Sequence, residues 1–135
     1  MLKILLVDDD QIIRQGLKML LELRRHLEII GEASDGETAL ALAQTLRPDL
    51  VIVESALPRL DGIQVVTRLR AAADKCTIVM LSLKDDAETR TQALAAGANV
   101  FIGKHETPNR LLEVIRQASK GELEQAPTEG KEGDI

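Results

Sequence analysis

Aromatic side chains are almost missing: the 135 residues include one Phe, Phe101, and neither Trp nor Tyr, so any core must be aliphatic. Cysteine occurs once, at Cys76, which excludes an internal disulfide. That thiol stands at the start of an apolar run and reads as a small core or rim residue rather than a redox centre. Long apolar runs are missing too. The first, Ile4 to Val7, is too short for a signal peptide or a membrane span, so the chain reads as cytoplasmic with no membrane contact. Nor is there an excess of positive charge. At a net charge of −5, with Lys and Arg scattered along the chain, the basic footprint of a nucleic-acid binder is absent, and DNA binding by this chain alone is not expected.

What remains is ordinary globular material, with 44% hydrophobic and 29% charged residues in a length that suits one domain. Short aliphatic runs alternate with amphipathic stretches, the pattern of parallel strands and their crossover helices. Strands are predicted at Lys3–Val7, Glu28–Ala33, Asp49–Val53, Thr77–Leu81 and Asn99–Ile102. Core-facing helical stripes are predicted at Ile13, Leu17, Leu20 and Leu21, at Ile63, Val66 and Leu69, and at Leu111, Leu112 and Ile115. Helix starts are marked by Ser34 with Glu37, by Asp85 with Glu88, and by Thr107 ahead of Pro108 at the first helical position. Gly97 and Pro48 mark helix ends. Five βα units with right-handed crossovers predict an α/β fold, a flavodoxin-like (βα)5 doubly wound parallel sheet in the order 2-1-3-4-5. The domain is expected over residues 1–120. From Gly121, residues 121–135 lose periodicity and nearly all apolar character, which predicts an acidic flexible tail or linker.

Function in such a sheet gathers at the carboxyl ends of the strands. Those ends carry Asp8, Asp9 and Asp10 after the first strand, Glu54 after the third, Ser82 after the fourth and Lys104 after the fifth. Crowded carboxylates repel unless a cation is present, and an oxygen-rich mouth of this kind suits Mg2+. An ammonium and a hydroxyl beside it suit a phosphoryl group. Each residue has a plainer reading when taken alone: the aspartates as acids favouring a helix N-terminus, Ser82 as a cap, Lys104 as a solvated surface lysine. Their common address at one switch point favours the site. His26 and His105 read as surface residues.

The motifs VDDD at 7–10, PDLVIVESALPRLDG at 48–62, MLS at 80–82 and AAGANVFIGK at 95–104 resemble the receiver domain of two-component response regulators, CheY-like modules, from Leu2 to about Gly121. The resemblance implies that Asp8 and Asp9 are the magnesium-binding acids, that Glu54 occupies the phospho-acceptor position and is itself one of the metal ligands, and that the backbone carbonyl of Ala56 completes the metal shell. It further implies that Ser82 is the switch hydroxyl, Phe101 the rotating aromatic and Lys104 the family's lysine, with Pro58 and Gly62 closing the loop after the third strand. The implied partner is a sensor histidine kinase. EIIGEASDGETALALA at 28–43 and ETPNRLLEVIRQASKGE at 106–122 look like the NarL/LuxR-type subfamily, whose output is a helix-turn-helix. That likeness implies transcription regulation through a C-terminal DNA-binding domain absent from this chain. Exposed faces of the first and last helices are candidates for homodimer contacts. The family is not one of enzymes beyond its own phosphorylation and dephosphorylation.

The departure is Glu54, where the family has aspartate. Its extra methylene carries the carboxylate ~1.5 Å further into the space a phosphoryl group would fill. In-line transfer depends on positioning, and displacements of about 1 Å cost on the order of a hundredfold in rate. Glu54 is thus expected to act as a phospho-block or as a partial phosphomimic. Three other readings compete. One is a pseudo-receiver that signals by protein contacts alone. Another is a haloacid-dehalogenase-like phosphatase with Asp8 as nucleophile, against which the chain leaves no room for a cap domain and Glu54 no task. A flavin-binding module would need an anion loop where the acids stand.

Overall fold

The computed structural model describes residues 1–106 and 108–122 of the chain. Strands and helices alternate: β1 (Leu2–Val7), α1 (Gln11–Glu22), β2 (Leu27–Ala33), α2 (Gly36–Leu46), β3 (Leu50–Val53), α3 (Gly62–Ala71), β4 (Thr77–Ser82), α4 (Ala87–Ala96), β5 (Val100–Gly103) and α5 (Asn109–Ser119). A 3-10 turn, Lys104–Glu106, follows β5. The sheet runs β2-β1-β3-β4-β5 with every pairing parallel, the order predicted from the sequence. Strand limits lie within a residue of the predicted ones.

Two-residue periodicity sorts the aliphatic side chains of each strand between two faces. Leu5, Val7, Val51, Val53, Ile78 and Met80 pack with α2, α3 and α4 through Ala39, Ala43, Val65, Val66, Leu69 and Ala93. Ile4, Leu6, Leu50, Ile52, Val79 and Leu81 pack on the other side with α1 and α5 through Leu17, Leu21, Leu111, Val114 and Ile115. Both faces of the sheet are covered, which is why the strands are continuously apolar. The helices are not equally anchored. α5 buries Leu111, Val114 and Ile115, whereas α4 buries only Thr89 and Ala93. At about 1.5–3 kcal/mol per fully buried Leu, Ile or Val side chain, α4 is the most weakly held of the helices beside the site.

Helix ends depart from expectation by one position in two places. Asp35, not Ser34, caps α2 by accepting a hydrogen bond from Thr38 N at 2.7 Å. Asp86, not Asp85, caps α4 by accepting from Thr89 N at 2.7 Å. In each case the residue nearer the helix reaches the third helical amide, and Asp85 turns instead toward Arg90 and His105. Pro108 is the N-cap of α5 rather than its first residue and offers no capping side chain, while Thr107 lies outside the described residues. Gly97 ends α4 at φ 121°, and Arg47 ends α2 in the left-handed region just before Pro48. Of the expected tail 121–135, residues 123–135 lie outside the described residues.

Candidate functional site

Parallel strands with helical crossovers bring the carboxyl ends of β1, β3, β4 and β5 to one edge. Asp8 and Asp9 follow β1, Glu54 follows β3, Ser82 is the last residue of β4 and Lys104 is the first after β5. Asp8, Glu54 and Ser82 are buried, with 3%, 4% and 0% of their surface exposed. Lys104 Nζ joins two of them, donating to Asp8 Oδ2 at 2.7 Å and to Glu54 Oε1 at 3.2 Å.

One ammonium therefore faces two buried carboxylates. Burial lifts the Asp8 carboxyl above the usual aspartate range, against the hydrogen bonds it accepts from Lys104 and the Asp10 amide, and the Glu54 charge adds to the rise. Burial also works against the Lys104 ammonium. The Asp8 hydrogen bond and the Glu54 charge outweigh it and hold Lys104 above the usual lysine range.

Glu54 is held by four donors. Oε1 accepts from Lys104 Nζ and, at 3.3 Å, from Leu83 N; Oε2 accepts from Ser55 N at 2.6 Å and from Ser55 Oγ at 3.3 Å. A carboxylate offers about four lone-pair directions, so this one is fully used. Ser55 Oγ in turn lies 2.6 Å from Ser82 Oγ. Ser82 Oγ accepts from Lys84 N at 3.0 Å and stands 3.3 Å from Lys84 O. Sequence reasoning singled out neither Ser55 nor the Leu83 amide. The only signal for Ser55 was a hydroxyl directly after the acid at a strand end.

The oxygen donors expected around Mg2+ fit a hard divalent ion in part. Asp9 and Ala56 are exposed and line one cavity of about 530 Å3 together with Asp61, Lys84 and Gln92. The Asp8 and Asp9 carboxylates with the Ala56 carbonyl make an all-oxygen set, the kind that suits magnesium. Glu54 fits less well, because its acceptor directions already have donors. Asp10 caps α1, accepting from Ile12 N at 2.9 Å and Ile13 N at 3.3 Å, so the plainer reading of a helix-terminal acid holds for this one aspartate. Gly62 closes the β3–α3 loop: its amide donates to Ser55 O at 2.8 Å, and a Cβ there would meet Glu54 O at 2.0 Å.

Phe101 is buried at 4% exposure with the Arg90 guanidinium 4.9 Å above its ring. Cys76 is buried, and that burial pushes its thiol up to about 12, so it is an inert core residue at neutral pH. His26 and His105 are exposed, and His105 Nδ1 stands 3.5 Å from Asp85 Oδ2. No helix among the described residues is long and apolar enough to cross a membrane.

Residues 4–116 match the family described as the response regulator receiver domain. The chain belongs to that family. This receiver domain is 34% identical over 120 residues to the nitrate/nitrite response regulator protein NarL of Escherichia coli K12, covering 89% of the chain and 56% of that protein. It is 36% identical over 123 residues to the transcriptional regulatory protein LiaR of Bacillus subtilis 168, covering 90% of the chain and 58% of that protein. The receiver thus spans little more than half the length of these relatives. Among solved structures, the signal receiver domain of a NarL response regulator from Mycobacterium tuberculosis superposes with a TM-score of 0.84 at 28% identity, covering 89% of the chain and 97% of that domain. The receiver domain is a signalling module, and the phosphatase reading with Asp8 as nucleophile is set aside with the flavin one.

Proposed function

We propose that this receiver takes part in two-component signalling with Glu54 standing where the family's aspartate is phosphorylated, as a block to phosphotransfer that also partly imitates the phosphorylated state. The observation that carries this reading is the set of four donors on its carboxylate: Ser55 N, Ser55 Oγ, Leu83 N and Lys104 Nζ. The amine and amides around this position are the groups that would otherwise bind phosphoryl oxygens. With its lone pairs engaged and its carboxylate pulled toward Leu83 and Lys104, Glu54 is neither free nor placed for in-line attack. The imitation is incomplete. A phosphoryl group brings about −1.5 to −2 charge and three oxygens, against one charge and two oxygens here.

In this reading Asp8, Asp9 and the backbone carbonyl of Ala56 hold Mg2+, which when bound neutralises the acidic mouth and the oxygens of an incoming phosphoryl group. Lys104 holds its proton and balances Asp8 and Glu54; Ser82 and Phe101 form the switch toward β4, α4 and β5. The partner is a sensor histidine kinase, the setting cytoplasmic, and the output transcriptional through a DNA-binding domain beyond this chain, by analogy with the NarL and LiaR relatives. Residues 1–120 form the receiver, and 121–135 serve as its linker. Exposed Ile12, Met19 and Leu23 along α1 offer an apolar surface for a partner or a second copy.

Intact mass after incubation with magnesium and a small-molecule phosphodonor tests the reading, comparing the chain as it stands with Glu54→Asp. Gain of one phosphoryl group by the Asp variant alone is expected. If neither chain gains mass, the phosphotransfer reading fails and a pseudo-receiver acting by contacts alone replaces it.

A further inference from the structure

Buried Ser82 has two acceptors within reach of its single hydroxyl proton, Ser55 Oγ at 2.6 Å and Lys84 O at 3.3 Å. Its neighbour Ser55, also buried, has two as well, Ser82 Oγ and Glu54 Oε2. A hydroxyl carries one proton, so the two rotors are coupled: if Ser55 donates to Glu54, Ser82 is free to donate to Ser55. An ionised carboxylate only accepts, and hydrogen bonds to a charge are the strong ones. The charge on Glu54 therefore orders the chain in one direction. Lys84 N–H donates to Ser82 Oγ, Ser82 O–H to Ser55 Oγ, and Ser55 O–H to Glu54 Oε2. Each bond polarises the next. With a neutral group at position 54 the order loses its anchor, and Ser82 can turn its proton to Lys84 O.

We infer that Ser55 is a positioning residue, a hydroxyl relay that carries the charge at position 54 to Ser82 and so to the backbone of Lys84 at the entrance to weakly anchored α4. The inference rests on the reading of Glu54 as a standing charge in the phosphoryl site. It explains how a carboxylate with no direct bond to Ser82 still engages the switch hydroxyl. The relay needs a hydroxyl at 55 and a full charge at 54. A second route from Glu54 to the same loop, through Leu83 N, does not involve Ser55.

A double-mutant cycle separates the two routes. The backbone amide resonance of Lys84 reports the loop, and the single fluorine resonance of the chain grown with 4-fluorophenylalanine reports Phe101, since no other Phe is present. Glu54→Gln is expected to move both resonances. In the Ser55→Ala background the same change should move the Lys84 amide by about half as much or less, and Ser55→Thr should restore the full response. An equal response in both backgrounds overturns the relay and leaves the Glu54 reading standing, with the charge acting through Leu83. No response to Glu54→Gln in either background overturns the Glu54 reading and the relay with it. A Ser55→Thr chain that behaves like Ser55→Ala also overturns the relay, because the hydroxyl would then not be what matters.

Discussion

Lys104 Nζ stands 2.7 Å from Asp8 Oδ2, a contact between residues 96 positions apart that closes the site across the sheet. The same ammonium reaches Glu54, so a single side chain compensates two buried acids. Removing one partner of a buried ionic group costs far more than the group contributes when whole, because the remaining charges stay desolvated.

Lys104→Met should therefore destabilise the receiver by about 3 kcal/mol at neutral pH. Urea unfolding followed by far-ultraviolet circular dichroism measures it. A change within the scatter of an ordinary surface substitution would mean that the two carboxylates find their counter-charge elsewhere.

The Cys76 thiol gives a pH dependence with a definite sign. Burial raises it to about 12 in the folded chain, while the unfolded thiol ionises near its ordinary value of about 8.5. Between those values the unfolded state has lost a proton that the folded state keeps, so stability falls as pH rises through this window. Cys76→Ala should lack that component of the alkaline loss. Urea midpoints of the two chains across the window are predicted to converge as pH rises, and parallel curves would rule the thiol out.

Arg70 at the end of α3 ties four acceptors together. It donates to Gly97 O at 2.9 Å, Asp74 O at 2.7 Å, Cys76 O at 2.8 Å and Asn99 Oδ1 at 2.9 Å. Arg70→Ala takes this donor from the backbone carbonyls of Gly97, Asp74 and Cys76, while Asn99 Oδ1 still accepts from Ile78 N at 2.8 Å, and should cost about 3 kcal/mol. Arg70→Lys should recover about half of that at most, since one ammonium cannot span the fork. Denaturation midpoints of the three chains decide it.

Gly62→Ala probes the loop that seats Glu54. The new Cβ would stand 2.0 Å from Glu54 O and 2.9 Å from Ser55 Cα, backbone atoms that cannot step aside as a side-chain tip can. A loss of about 2–3 kcal/mol is expected, accompanied by displaced amide resonances at Glu54 and Ser55. Unshifted amides together with unchanged stability would contradict the packing of this turn.

Much of this protein was legible in its residues. Strand order, the two-sided core and the placing of Asp8, Glu54, Ser82 and Lys104 at one edge follow from aliphatic runs alternating with amphipathic stretches, because parallel sheets covered on both faces admit few topologies. Helix caps were legible to within one position. Ser34 beside Asp35, and Asp85 beside Asp86, are chemically adequate neighbours, and only the path of the chain leaving the strand selects which oxygen meets the third amide. The tertiary structure alone decided which atoms the Glu54 carboxylate meets and that Ser55 leans on Ser82 across 27 positions. Periodicity assigns a residue to a face and a strand end, but hydrogen bonds depend on rotamers and ångström distances between segments, which are set only when the packed core fixes both at once.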